Sequence, residues 1–272
     1  MQSSKKPKVP SARRGRRNGR PLSWEQLLAP LVLVAAIALW DLVVHLAQYP
    51  AFILPTPGRV WARFLEAWHS GTLQMHTWVT LQEIFGGLAL GLSVAVILGY
   101  LLAKSRPLEK LLSPYIVASQ AVPIVALAPL LVIWFGAGSL SKMLVCALTI
   151  FFPVLVNTIV GIRSVDAELL DLMRSFEASK WQIFKYLELP AALPILLGGL
   201  KIGVTLSVIG AVVGEFVGAD RGLGFLVNLA RGLFDTPLMF VALFTLMAIA
   251  LLLYLIVSGI EAWLLKWRWP ED

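Results

Sequence analysis

Six stretches of the chain, residues 27–46, 78–102, 114–135, 142–162, 193–217 and 238–264, consist mainly of Leu, Val, Ile, Ala, Gly and Phe. Each approaches the length of about 20 apolar residues that a helix needs to cross the hydrocarbon of a bilayer. None alternates apolar with polar residues in the manner of a barrel strand, and only helices or closed barrels satisfy their own backbone amides in lipid. Composition agrees, with 58% of residues hydrophobic and 14% charged, whereas an ordinary soluble domain is about a quarter charged. The expectation is an all-α polytopic membrane protein with six transmembrane helices.

Charge sets the expected orientation. The net charge is +7, and Lys5, Lys6, Lys8, Arg13, Arg14, Arg16, Arg17 and Arg20 crowd the first twenty residues without an acid among them. An apolar run follows directly, so this reads as a cytoplasmic tail beside anionic membrane lipid rather than a nucleic-acid arm. Arg16-Arg17 recurs in export signals, yet the run behind it carries Trp40 and Asp41 and no small-x-small cleavage site. With the N-terminus inside, the inner connections hold Lys104, Arg106, Lys110, Arg163, Arg174, Lys180, Lys185, Lys266 and Arg268. The outer ones hold Arg59, Arg63, Lys142, Arg221 and Arg231. Both termini are therefore expected in the cytoplasm. Trp24, Trp78, Trp263, Trp267 and Trp269 fit an aromatic belt. The division is a basic tail at 1–24, a membrane domain at 25–265 and a cytoplasmic end at 266–272.

Two connections carry structure of their own. In residues 48–76, Pro57 and Gly58 signal a helix start, and Val60, Phe64 and Trp68 share a face, so a short helix at the outer interface is expected. The longer inner connection, 164–191, contains "SVDAELLDLMRSFEASKWQIFKYLELP". Ser164 or Asp166 can cap a first helix whose apolar face is Leu169, Leu172, Met173 and Phe176. A second amphipathic piece follows from Ser179 with Trp181, Phe184 and Leu187, and is expected to stop at Pro190. Pattern alone leaves two readings open: a projecting elbow that docks on a partner, or a helix pair lying flat on the headgroups.

That connection resembles the cytoplasmic signature loop of importer-type ABC permeases. The family writes Glu-Ala-Ala, three residues, Gly, nine residues, Ile, one residue, Leu-Pro. Here Asp171, Leu172 and Met173 hold the first positions, Glu177 the glycine, Leu187 the isoleucine and Leu189-Pro190 the end. Spacing matches throughout, while several identities differ. Glycine takes positive φ at little cost, whereas Glu177 does so only at about 1–2 kcal/mol, so a differently shaped turn is expected. "AVPIVALAPLLVIWFG" and "LLGGLKIGVTLSVIGAVVGEFVGADRGLGFLV" are similar to the nitrate, sulfonate and taurine branch. Their wording is nearest to members associated with riboflavin or the thiamine pyrimidine.

The resemblance implies a type I ABC importer permease fold and a place in the bacterial inner membrane. It implies a cytoplasmic ATPase dimer gripping Asp171, Leu172, Met173, Glu177, Ala178 and Ser179, with Leu189-Pro190 passing motion into the fifth span. A second permease copy and an external solute-binding protein complete the set. No G-x-x-x-x-G-K-[ST] occurs, so ATP must be hydrolysed by another polypeptide and no enzyme activity is expected. No cofactor or metal is expected either, because His45, His69 and His76 lack ligand spacing. Cys146, the one cysteine, reads as a packing residue.

Polar groups inside spans are candidates for the translocation pathway, because burying them is costly. Gln120 and Pro123 in the third span, and Glu215 near the outer end of the fifth, are those candidates. Each has a plainer alternative: an interhelical hydrogen bond for Gln120, and a helix cap or a pair with Arg221 for Glu215. Asp41 and His45 share a face four residues apart and read as a pair, and Lys201 as a snorkelling side chain. Gly198, Gly199 and Gly203 offer room for close helix approach. An ion-coupled secondary transporter is the rival class, but it would call for acids repeated in two halves, and none match. Gly91-Leu92-Ser93 has no histidine placed to activate it, against an intramembrane hydrolase.

Overall fold

A computed structural model describes residues 24–266, so the basic tail, Trp267, Arg268 and Trp269 lie outside the described residues. The described residues divide into two units at Gln48. The first holds one helix, α1 (Trp24–Ala47), apolar over Pro30–Ala47. Within it, His45 Nδ1 donates to the Asp41 carbonyl at 2.8 Å and sits 3.5 Å from its carboxylate, the pairing expected from their spacing.

The second unit begins with α2 (Pro57–His69), capped by Thr56, whose hydroxyl accepts from Arg59 N–H at 3.3 Å. Val60 and Ala67 are its buried stripe, and Trp61, Phe64 and Trp68 stack in a row at 5.3 and 6.0 Å between centroids. Long helices follow: α3 (Thr72–Lys104), α6 (Ser139–Arg163), α9 (Leu189–Gly218) and α11 (Thr236–Leu264), all apolar enough to span.

The third expected span is not one helix. It is α4 (Arg106–Gln120) and α5 (Ile124–Phe135), bent by 94° at the break between them. Pro123 is the cause: it has no N–H to give and pushes the residue before it out of helical backbone. At 12 residues, α5 reaches about 18 Å at the rise of an α-helix. A helix at α10 (Leu223–Gly232) fills what the sequence left as a short loop, burying Leu223, Leu226, Val227 and Ala230.

Packing centres on α6, held between α3 and α9. Lipid tails are as apolar as the helices, so contact depends on small residues that admit close approach. Gly87, Gly91, Ala95 and Gly99 form such a row on α3, with all four buried. A Cβ at Gly91 would stand 2.8 Å from the Ala147 carbonyl, and one at Gly210 of α9 would stand 2.7 Å from Cys146 Cα. Of the three glycines singled out above, Gly199 makes a close approach, 2.8 Å from Asn157 Cβ, while Gly203 has ordinary contacts and Gly198 faces open space.

Cys146 is fully buried at this seam and is the sole cysteine, so its reactivity reports opening of the bundle. Gly210→Val should lower the midpoint at which a thiol-reactive dye labels Cys146, by an overpacking cost of about 1–3 kcal/mol. Gly198→Ala should leave that midpoint unchanged or slightly raised.

Candidate functional site

Two ends of the α3–α6–α9 triad carry polar structure. At one end α3 and α6 finish and α9 begins; this is where the connection 164–191 projects. Asp166 caps α7 (Ala167–Ser175), accepting from Glu168 N–H at 2.9 Å. None of α7 is buried, and Leu172 and Phe176 are 51% and 74% exposed. The helix ends in a tight reversal: Ala178 N–H donates to the Met173 carbonyl at 3.1 Å, and Glu177 N–H to that of Arg174 at 2.9 Å. This is the Schellman arrangement, which places the residue just past the helix cap, the donor of the second bond, in left-handed backbone. Glu177 takes that role with φ 54°. The expectation of a differently shaped turn is thus corrected: two bonds to orphan carbonyls hold the glutamate in the conformation a glycine would adopt.

Ser179 and Gln182 then form a reciprocal capping box for α8 (Lys180–Ile183). The helix does not stop at Pro190, another correction. Phe184–Glu188 forms a π-helical turn, and Leu189 N–H bonds the Phe184 carbonyl before α9 continues through the proline. The widened turn is where the chain absorbs the bond that Pro190 cannot make. Helix therefore runs without interruption from Lys180 to Gly218.

The base of this elbow is clamped to its neighbours. Phe184 meets Tyr100 of α3 edge-on at 5.5 Å, and buried Glu188 pairs with Lys104 at the end of α3. Arg163 donates to the Leu102 and Ala103 carbonyls at 3.2 and 3.3 Å and grips Glu109 of α4 at 2.6 and 2.7 Å. That pair closes one end of a cavity of about 550 Å³ between α4 and α6, where Ser113, Val117 and Gln120 face Val156 and Val160. Pro123 is exposed at the α4–α5 break.

Glu215 belongs to neither place. It lies 1% exposed at the far end of the triad. Its Oε1 accepts from Thr80 Oγ1 at 2.6 Å, and its Oε2 from Gly224 N–H at the start of α10. Thr80 in turn accepts from Leu223 N–H at 2.8 Å, and His76 Nδ1 from Gly222 N–H at 3.0 Å. Gly222, at φ 113°, lies against the Glu215 carboxyl with no room for a Cβ. Lys142, read from sequence as an edge cation, is buried beside this knot and donates to the Ala137 and Gly218 carbonyls. Arg221 stands 4.0 Å from Asp220, not on Glu215. Lys201 pairs with Glu261 of α11.

Sequence reasoning missed Lys104, Glu188, Glu109, Thr80 and His76. Each acts through a partner far along the chain, and no local pattern marks such a pairing. Gly222-Leu223-Gly224 was the available signal for the knot, since paired glycines admit a carboxylate to backbone amides.

Residues 87–268 match the family described as binding-protein-dependent transport system inner membrane component. The chain belongs to that family. The permease is 49% identical to the riboflavin transport system permease protein RibX of Chloroflexus aurantiacus over 90% of its own length and 91% of the relative's. It is 35% identical to the formylaminopyrimidine transport permease protein ThiX of Halalkalibacterium halodurans, over 90% and 98% of the two chains. In fold it is similar to the MetNI methionine ABC transporter in an inward-facing conformation, with a TM-score of 0.59 and 20% identity over 68% of this chain and 92% of that one. It is accordingly an inner-membrane ABC importer permease of the type I fold, and the ion-coupled reading falls away.

The far-end knot makes a stability prediction. Glu215→Ala leaves the Thr80 hydroxyl its second acceptor, the His76 carbonyl at 3.2 Å, but strands the Gly224 N–H, costing about 1–3 kcal/mol. The Cys146 labelling midpoint should fall accordingly. Asp220→Ala, at an exposed neighbouring position, should shift it by less than about 0.5 kcal/mol.

Proposed function

We propose that this permease carries a neutral vitamin or vitamin precursor, riboflavin or a thiamine pyrimidine, into the cytoplasm. It works as a homodimer driven by a separate ATPase dimer and fed by an extracytoplasmic solute-binding protein. The carrying observation is the projecting elbow. Its apolar face is open, its tip is held by defined backbone bonds, and it continues as one helix into α9. A rigid arm of that kind converts motion of a docked partner into rotation of a membrane helix. Asp171, Leu172, Met173, Glu177, Ala178 and Ser179 make the docking tip, and Leu189-Pro190 begins the driven helix. The distribution of Lys and Arg supports both termini in the cytoplasm.

The substrate class rests on two supports. RibX, at 49% identity, is named for riboflavin and stands well above both ThiX and the putative aliphatic sulfonates transport permease protein SsuC of Bacillus subtilis, each at 35%. The cavity beside Gln120 adds a physical one. Its cation, Arg163, is already engaged by Glu109 and two carbonyls, leaving no open positive charge for nitrate or a sulfonate. Gln120 and Pro123 then line the pathway, and Glu215 keeps the far end shut by fastening α9 to α3 and α10.

The test is uptake into proteoliposomes holding the permease, its ATPase and the loaded binding protein. Labelled riboflavin and formylaminopyrimidine should accumulate only with ATP inside the compartment that contains the ATPase. An ATPase variant lacking its phosphate-binding lysine should abolish uptake, and Gln120→Ala should lower it severalfold without loss of assembly. Uptake of taurine or nitrate in place of both vitamins would overturn the substrate class. Uptake without the ATPase would overturn the mechanism.

A further inference from the structure

Glu177 is held in left-handed backbone, φ 54°, at the elbow's outermost turn. A non-glycine residue there costs about 1–2 kcal/mol, and glycine is the usual occupant of that position in a Schellman turn. Strain of this kind persists where the side chain or the surroundings give something in return, and it gathers at ligand clamps and switches. The surroundings give nothing specific to glutamate, because the two backbone bonds of the turn need no side chain. The carboxylate itself is exposed and makes no hydrogen bond or ion pair among the described residues. Asp171, the other acid of the tip, is engaged by Arg174 at 3.0 Å. Phe176 and Leu172, 74% and 51% exposed, flank the unengaged charge.

We propose that Glu177 is a specificity-determining contact for the ATPase subunit: its carboxylate meets a basic side chain at the rim of the cleft whose apolar floor takes Phe176 and Leu172. The proposal rests on the docking reading above and adds the chemistry of the partner surface. A membrane surface is the other candidate occupant, but a free carboxylate at the leading edge is repelled by anionic headgroups. A basic rim on a protein satisfies the apolar and the acidic parts of the tip together. Glu177 also distinguishes this elbow from one with glycine at the turn, which offers any ATPase only backbone there.

The experiment separates charge from backbone. Permease and its ATPase subunit are co-expressed and reconstituted in nanodiscs of neutral lipid. Their dissociation constant and ATP hydrolysis are then measured over a range of salt for the wild type, Glu177→Gln and Glu177→Gly. Both variants should bind about fivefold more weakly at low salt, the upper end for an exposed ion pair. Both should lose part of the salt dependence. Glu177→Gly should do so while matching or exceeding the wild-type thermal midpoint, because it relieves the turn. A glycine variant that binds like the wild type at every salt concentration would overturn the proposal and leave the docking reading intact. Loss in the glycine variant with none in the glutamine variant would also overturn it, assigning the effect to backbone freedom. Wild-type permease that fails to bind the ATPase at any salt concentration would instead remove the docking reading. If Glu177→Gln binds neutral-lipid vesicles better but the ATPase equally well, the occupant is the membrane and the proposal fails.

Discussion

Helices in hydrocarbon feel little force pressing them together, so everything in this permease depends on how closely α6 can lie between α3 and α9. The row Gly87, Gly91, Ala95 and Gly99 on one side, and Gly199, Gly210 and Gly214 on the other, bring backbones near enough for dispersion contacts to accumulate. Once the three axes are fixed, the polar groups at their ends acquire partners. Thr80 can reach Glu215, and Arg163 can reach the last carbonyls of α3, only because α6 brings its neighbours into register. Larger side chains along the seam would remove both the contacts and the polar ties that rely on them.

In the proposed mechanism the elbow is what lets this packed triad be driven. Its tip is short and open, while its base is clamped through Phe184 to Tyr100 and Glu188 to Lys104. The π turn lies between tip and span, at the place where a proline would otherwise break the helix. A hinge there would lose displacement to bending. A continuous helix passes it on, and the pairing with Lys104 obliges α3 to follow α9. Force at the tip therefore reaches two spans together.

Most of the spans and the elbow were legible in the sequence, because long apolar runs and capping residues are local signals. Ser179 with Gln182, Asp166 before Glu168, and the apolar residues of α7 all announce themselves within a few positions. What sequence left hidden was set by context. Pro123 and Pro190 look alike as helix breakers, yet one bends the chain by 94° and the other is carried inside a helix. Ahead of Pro190 a π turn lets Leu189 N–H bond the Phe184 carbonyl, and no pattern announces it. Glu215 was legible as an unusual intramembrane acid, but its partners lie 135 residues back and 9 ahead. Glu177 departs from the family glycine in identity while keeping its backbone conformation, which only the dihedral angle reveals.

The two ends of the triad resist opening very differently, and that difference constrains how the permease can move. At the elbow end Lys104 holds the buried Glu188, but the tie to α4 is an edge ion pair, with the side chains of Arg163 and Glu109 36% and 27% exposed. Water can take over much of such a pair's solvation as it parts, so its net strength is small. At the far end Thr80, Glu215 and Lys142 are buried almost completely, and separating them would strand several polar groups at once. Alternating access that prised α9 from α3 at the far end would meet that whole cost in every cycle. Tilting the triad as one body, with the Arg163–Glu109 pair rearranging and both the knot and the Lys104–Glu188 pair intact, avoids it. Glu215 then keeps the moving part rigid, because its bonds tie α9 to α3 and α10.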